Sequence, residues 1–200
     1  MYILLRYPHL IDYNSKNADL LTKIDDKSQF YVIKSFSEED VHKSIKYGLW
    51  TSTKSGNYTL NNAFRITSQN GGYVYLFFST NGSGRFEGLA RMKSEVNFSE
   101  TFSYWTQDNK WTGVFQVEWL LIKDTPFKLF RNISIMMKDG QRKPVCNSRD
   151  TQEVPLQDAK NMIEIIQNFN NTNTILEHFE YYDLRQENYE KYLNDNKFSN

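Results

Sequence analysis

Among the side chains able to do chemistry, the tryptophans carry the most information. Trp50 follows Gly48-Leu49 directly after a predicted helix, and Trp105 and Trp111 sit in Tyr104-Trp-Thr-Gln-Asp-Asn-Lys-Trp-Thr-Gly113, a polar segment ahead of a strand. A large aromatic in a polar loop has no evident core to join, so stacking on a ligand competes with simple packing as its role. Trp119, inside an apolar strand, reads as core. Catalytic constellations are missing: there is no G-x-S-x-G elbow, H-E-x-x-H, Walker loop or dinucleotide fingerprint. His9, His42 and His178 are scattered without ligand spacing, and His42 reads as a structural or surface residue of a short helix. Asn81-Gly-Ser-Gly84 could cradle a phosphate, but a hairpin turn accounts for its glycines. Cys146 is the single cysteine, which excludes an intrachain disulfide and a thiolate metal cluster.

These residues must be positioned by regular elements. Phe30-Tyr-Val-Ile-Lys34 is a β-branched and aromatic run that reads as a buried strand. Ser37 followed by Glu38, Glu39 and Asp40 supplies a helix N-terminus, with Val41 to Tyr47 helical and Gly48 ending it. Leu60 to Ile66 has short helical character. Tyr73 to Ser79 predicts a core strand, joined through Asn81-Gly-Ser-Gly84 to a second strand over Arg85 to Lys93. Val114 to Ile122 predicts a long strand, broken at Pro126 and followed by another around Phe130 to Met136. The strands mostly lack alternation and should be covered on both faces. Ala159, Met162, Ile163, Ile166 and Phe169 fall at helical spacing, and a second helix is predicted from Thr174 to about Tyr189, after a polar loop at 168–174. The expected fold class is α/β, a mixed curved sheet or barrel flanked by α-helices. Residues 1–28 are read as an N-terminal extension, 29–192 as the domain and 193–200 as a frayed tail.

The chain has 200 residues, enough for one domain with a real core. Its hydrophobic fraction of 39% lies far from the apolar-poor composition of disordered chains. No apolar run approaches the roughly 18 residues that span a bilayer, and Met1 to Leu5 is too short for a signal core, so no membrane association is expected and an intracellular location is. The sequons at Asn57, Asn81 and Asn132 carry no weight without a secretion signal. Formal net charge is zero, which argues at first against a nucleic-acid partner. The distribution matters more: from Asn171 onward six acids face three bases, so the rest of the chain holds about +3. A local basic patch is permitted.

Three stretches then carry a resemblance. Lys34-Ser-Phe-Ser-Glu-Glu-Asp-Val-His-Lys-Ser-Ile-Lys-Tyr-Gly-Leu-Trp-Thr-Ser-Thr53, Tyr75-Leu-Phe-Phe-Ser-Thr-Asn-Gly-Ser-Gly-Arg-Phe86 and above all Asn147-Ser-Arg-Asp-Thr-Gln-Glu-Val-Pro155 look like the YTH domain. The similarity runs in order from about Phe30 to Tyr182. It is closer to the cytoplasmic YTHDF branch, with its W-S-Q-D-K-W loop and S-R-D-T-Q-E run, than to the nuclear branch.

The resemblance implies a PUA-like YTH fold and a non-catalytic, cytoplasmic reader of N6-methyladenosine in single-stranded mRNA. No cofactor or metal is implied, the domain is expected to be monomeric, and effector partners would engage flanking regions. By similarity Trp50, Trp105 and Trp111 form the cage around the methylated base. The main-chain carbonyl of Thr51 would accept the one N–H left on the amine. Phe36, Asp40 and Asn81 would lie at the base edge, and Lys34, Arg149 and Asp150 beside the RNA backbone, where Asp150 would meet either the RNA or Arg149. A carboxylate at Asp40 and adenine N1 are both acceptors, so a water or a proton must lie between them. Three departures stand out: Phe36 for the usual Tyr, Thr59 for the branch's Arg, and Asn109 as an extra residue between Trp105 and Trp111.

Magnitudes show how such a cage discriminates. Burying one methyl stabilises by about 0.8 kcal/mol, and a second amine N–H facing aromatic walls costs on the order of 1 to 3 kcal/mol. Together these give roughly 20-fold to several-hundred-fold preference. Stacking at about 1 to 3 kcal/mol per base adds affinity but little selectivity. Two other readings compete. A general single-strand binder would use the tryptophans only to stack. An RNA demethylase or nuclease is disfavoured because the sequence lacks an iron-binding His/carboxylate set and a base beside a nucleophile.

Overall fold

The computed structural model describes residues 1–101, 111–170 and 174–197. Two short helices, Tyr2–Arg6 (α1) and Tyr13–Lys16 (α2), precede strand Gln29–Ser35 (β1), helix Glu38–Tyr47 (α3) and the two-residue strand Leu49–Trp50 (β2). Helix Lys54–Gln69 (α4) leads to strands Val74–Thr80 (β3), Arg85–Met92 (β4), Asn97–Thr101 (β5) and Thr112–Pro126 (β6). Short strands Ser134–Met136 (β7), Arg142–Pro144 (β8) and Gln152–Val154 (β9) come next, then helices Leu156–Asn168 (α5) and Phe179–Lys197 (α6).

The main sheet runs in the order β2-β6-β4-β3-β1-β9, with β5 also on β6. β1 is parallel to β3, pairing Gln29 with Val74 through Ser35 with Thr80. The other ladders, β3 with β4, β4 with β6, β2 with β6 and β1 with β9, are antiparallel. The sheet is open, so of the two forms expected, curved sheet and barrel, the described strands adopt the former. All of β3 is buried, as its unbroken apolar run requires of a strand covered on both faces. Alternation sorts β1 and β3 onto two cores. Ile33, Leu76 and Phe78 meet Val41, Ile45, Leu60 and Trp119 on one side, while Val32, Tyr75 and Phe77 meet Ala159, Met162, Ile163 and Ile166 of α5 on the other.

Two elements depart from expectation. α4 begins at Lys54 rather than near Leu60, because Thr53 caps it by accepting from Gly56 N and because its early inward position is the buried polar residue Asn57. The segment expected as a strand over Phe130 to Met136 splits into a 3-10 turn, Phe127–Phe130, and the short β7. Phe130 itself is fully buried beside Phe86. The hairpin at Asn81-Gly-Ser-Gly84 is as expected, with Gly82 and Gly84 at positive φ.

Residues 1–28 lie against the body of the domain. Leu10, Leu20 and Ile24 are buried, and Asn14 exchanges two hydrogen bonds with the main chain of Ile122. Asp183 of α6, 1% exposed, ties several elements together: it accepts from Tyr2 OH (2.6 Å), Tyr7 OH (2.8 Å), Lys46 Nζ (2.6 Å) and His42 Nε2 (3.1 Å). Burial pushes His42 down to about 4, so near neutral pH its contact with Asp183 is a hydrogen bond from a neutral imidazole, not an ion pair.

Candidate functional site

A cavity of about 240 Å3 opens where the parallel strands β1 and β3 end, beside the N-terminus of α3. Its size is below the ~300–1,000 Å3 typical of drug-sized ligand sites, which suits one small planar group. It is lined by Phe36, Asp40, Trp50, Thr51, Trp111 and Arg149, together with Lys34, Ser35, Ser52, Thr53, Asn81, Ser148 and Asp150. Nine of the ten residues expected at the site therefore converge; the tenth, Trp105, lies outside the described residues, as does Asn109.

Local structure explains each placement. Ser37 caps α3 by accepting from Asp40 N at 3.2 Å, which fixes Asp40 in the first helical turn. Gly48 ends α3 in the left-handed region at φ 66°, where an added Cβ would stand 3.2 Å from Val117 O. The chain then enters β2, where Trp50 pairs with Phe115 and packs edge-on against Phe78 at 4.8 Å between centroids. At 4% exposure Trp50 is a wall built into the core. Trp111 immediately precedes β6 and is half-buried, its ring 5.8 Å from the exposed ring of Phe36.

The electrostatics are uneven. Burial pushes the Asp40 carboxyl up to about 6, opposed by its hydrogen bond with Ser37 and by the charge of Lys43. Asp40 Oδ1 is buried without a hydrogen-bond partner. Such an orphan costs free energy unless a ligand or a proton satisfies it. Asp150 is also raised by burial, but both its oxygens are occupied: Oδ1 accepts from Lys34 N at 2.9 Å and Oδ2 from Ser52 Oγ at 2.5 Å. It thus braces β1 against the segment after Trp50, and of the two partners expected for it, RNA and Arg149, no ion pair with Arg149 occurs among the described residues. Lys34 lines the cavity, but its ammonium group donates to Ser79 Oγ at 3.2 Å and sits 4.7 Å over the Phe127 ring. Arg149 is exposed and also borders a neighbouring cavity with Lys138 and Lys143. Asn81 anchors its turn by donating its main-chain N–H to Ser35 O. Thr59 is exposed on α4 and borders a different cavity.

Sequence reasoning missed Asn57, whose only signal was a sequon. Fully buried on α4, it accepts from Ser52 N at 2.8 Å through Oδ1, and its Nδ2 donates to Thr51 Oγ1 (3.2 Å) and Thr112 O (3.0 Å). Ser148, buried at the cavity edge, was missed too. No group of three or more His, Cys, Asp or Glu side chains able to hold a metal occurs among the described residues. No helix among them is long and apolar enough to cross a membrane.

Known proteins resemble the chain in sequence and fold. The family profile described as YT521-B-like domain, YTH, matches residues 28–167. The chain is 47% identical over 175 residues to mouse (Mus musculus) YTH domain-containing family protein 1, and 46% identical over 177 residues to human (Homo sapiens) YTH domain-containing family protein 2. These alignments cover 88% of this chain but only 30% and 29% of those relatives. Among solved structures, the YTH domain of Zygosaccharomyces rouxii MRB1 in complex with N6-methyladenosine RNA superposes with a TM-score of 0.67 at 36% identity, over 74% of this chain and 93% of that one. The Pho92 YTH domain in complex with m6A gives a TM-score of 0.65 at 33% identity, over 74% and 91%. With the family profile covering most of its length, the chain belongs to the YTH domain family.

Proposed function

We propose that residues 29–192 form a non-catalytic reader that takes N6-methyladenosine from single-stranded RNA into the tryptophan-walled cavity. The observation that carries this reading is a base-sized cavity with Trp50 and Trp111 on its walls and an unsatisfied carboxylate oxygen of Asp40 buried beside it. Two aromatic walls favour a flat π-system and an alkyl group, and they give no partner to an extra amine hydrogen. The Thr51 carbonyl accepts the one N–H of the methylated amine, and Asp40 meets the base edge, with Asn81 and Phe36 at the rim. Trp105 supplies the third wall by resemblance. Arg149 is the phosphate-facing cation, and Lys34 would have to leave Ser79 and Phe127 to join it. The reading extends to the larger protein as a cytoplasmic regulator of mRNA, with effectors recruited through regions outside this domain.

Binding of matched single-stranded oligomers, with and without one N6-methyl group, tests the proposal. At least roughly 20-fold tighter binding of the methylated strand is expected. Equal affinity would leave only sequence-tolerant stacking. Loss of the methyl group or shortening of the RNA during incubation would point to an enzyme.

A further inference from the structure

Resting on this reading of the cavity, we infer that Asn57 is the positioning residue that aims the Thr51 carbonyl at the methylated amine and holds the two tryptophan segments together. Asn57 is not itself a wall of the cavity, whereas Thr51 and Ser52 are. The Ser52 N–H points at Asn57 Oδ1, 2.8 Å away. The peptide joining Thr51 to Ser52 is trans, since no cis bond occurs among the described residues, and in a planar trans unit the C=O points opposite to the N–H. Fixing that N–H on Asn57 therefore turns the Thr51 carbonyl away from α4, toward the cavity. A peptide whose N–H is already engaged is also polarised, which strengthens its oxygen as an acceptor.

The other end of the same side chain reaches the second wall. Asn57 Nδ2 donates to Thr112 O at 3.0 Å, with Gly113 O at 3.4 Å, so it grips β6 immediately after Trp111. Gly113 makes this possible: at φ 102° it carries no Cβ, and one built there would stand 2.9 Å from Asn57 Nδ2. One buried amide thus joins the residue after Trp50 to the residue after Trp111. A base held by a fixed carbonyl cannot tilt, and walls held at fixed spacing keep water from a second amine hydrogen. Both conditions bear on the distinction between a methylamine and an amine.

Asn61 provides a matched control. It lies one turn further along α4, is also buried, and accepts from Val96 N at 2.8 Å, but it does not line the cavity. The experiment compares unaltered protein, Asn57→Ala and Asn61→Ala, each titrated with methylated and unmethylated oligomers after the folded fraction is measured. Asn57→Ala is expected to weaken methylated RNA about 10-fold or more and to lower the methylated-to-unmethylated preference at least 5-fold; Asn61→Ala should lose stability but keep the preference. An unchanged preference in folded Asn57→Ala overturns the inference. If that variant does not fold, amide NMR of the unaltered protein decides. The Ser52 amide should exchange slowly and shift when N6-methyladenosine is added, and an amide that exchanges freely or ignores the ligand overturns it. Should the unaltered protein itself show no preference for methylated RNA, the reading of the cavity fails rather than the role of Asn57 within it.

Discussion

Replacing Asp40 by asparagine should tighten binding of methylated RNA, and the size of the gain should depend on pH. Asp40 Oδ1 is buried and unpartnered, and burial pushes its carboxyl up to about 6. Adenine N1 is an acceptor, so the ligand favours whichever form of residue 40 offers a proton. At pH 7.5 the solution stands about 1.5 pH units above that pKa, and protonating the carboxyl costs about 2 kcal/mol at 1.36 kcal/mol per unit. The side-chain amide of the variant presents an N–H at every pH. Asp40→Asn should therefore bind up to about 30-fold tighter at pH 7.5, less where a water already bridges the two acceptors. The sign follows by linkage: a ligand that prefers the protonated form gains affinity as pH falls from 8 toward 6, then levels off. At pH 5.5 the two proteins should differ by no more than about 2-fold. Fluorescence anisotropy of one methylated oligomer across pH 5.5 to 8 measures this. A flat profile for the unaltered domain with equal affinity for Asp40→Asn would refute the reasoning, and weaker binding by the variant would show that N1 does not receive a proton from this position.

The remaining predictions separate binding from folding. Trp111→Ala should abolish methyl preference at a stability cost under about 2 kcal/mol, since the ring is only half-buried, whereas Trp50→Ala should also lose about 3–5 kcal/mol because its indole is built into the core against Phe78; urea titration distinguishes them. Asp183→Asn should destabilise by about 3–5 kcal/mol and expose residues 1–10 to protease, because four donors converge on that carboxylate; intact stability would show the tie to be dispensable. His42 is held neutral down to about 4, below its unfolded value near 6.5, so the stability it contributes is complete above that value and is lost as pH falls from about 6.5 toward 4, a trend readable in thermal midpoints and absent from a folded His42→Gln variant. Thr59→Arg should steepen the dependence of log K on log salt by about 0.7 if α4 borders the RNA path, and leave it unchanged if it does not.

Much of the fold was legible because local chemistry and tertiary need coincide. Ser37 and Gly48 bracket α3 as a cap and a left-handed stop, and the apolar run that became β3 could be stable only in the middle of a covered sheet. The spacing of Ala159, Met162, Ile163 and Ile166 gave α5 its buried face. What could not be read rests on polar groups satisfied at a distance. The first turn and a half of α4 was not legible because Asn57 breaks its apolar period, and the amides of Asn57 and Asn61 make sense only once Ser52, Thr112 and Val96 are beside them. Residues 1–28 show no strong pattern because Asn14, Tyr2 and Tyr7 dock them on Ile122 and Asp183, more than 100 positions away. At the site, nine residues named through the family resemblance line one cavity, but their hydrogen-bond partners could not be read: Asp150 accepts from Ser52 and Lys34, and the Lys34 ammonium sits on Phe127.

Whether a fixed acceptor and dry aromatic walls count the hydrogens on one amine is decided by titrating the unaltered domain with three oligomers that differ only at that nitrogen. A maximum at one methyl is expected: the unmethylated strand is weakened by an unsatisfied N–H, and the dimethylated strand has no N–H for the Thr51 carbonyl. Affinity that stays level, or that climbs steadily from zero to two methyl groups, would contradict it.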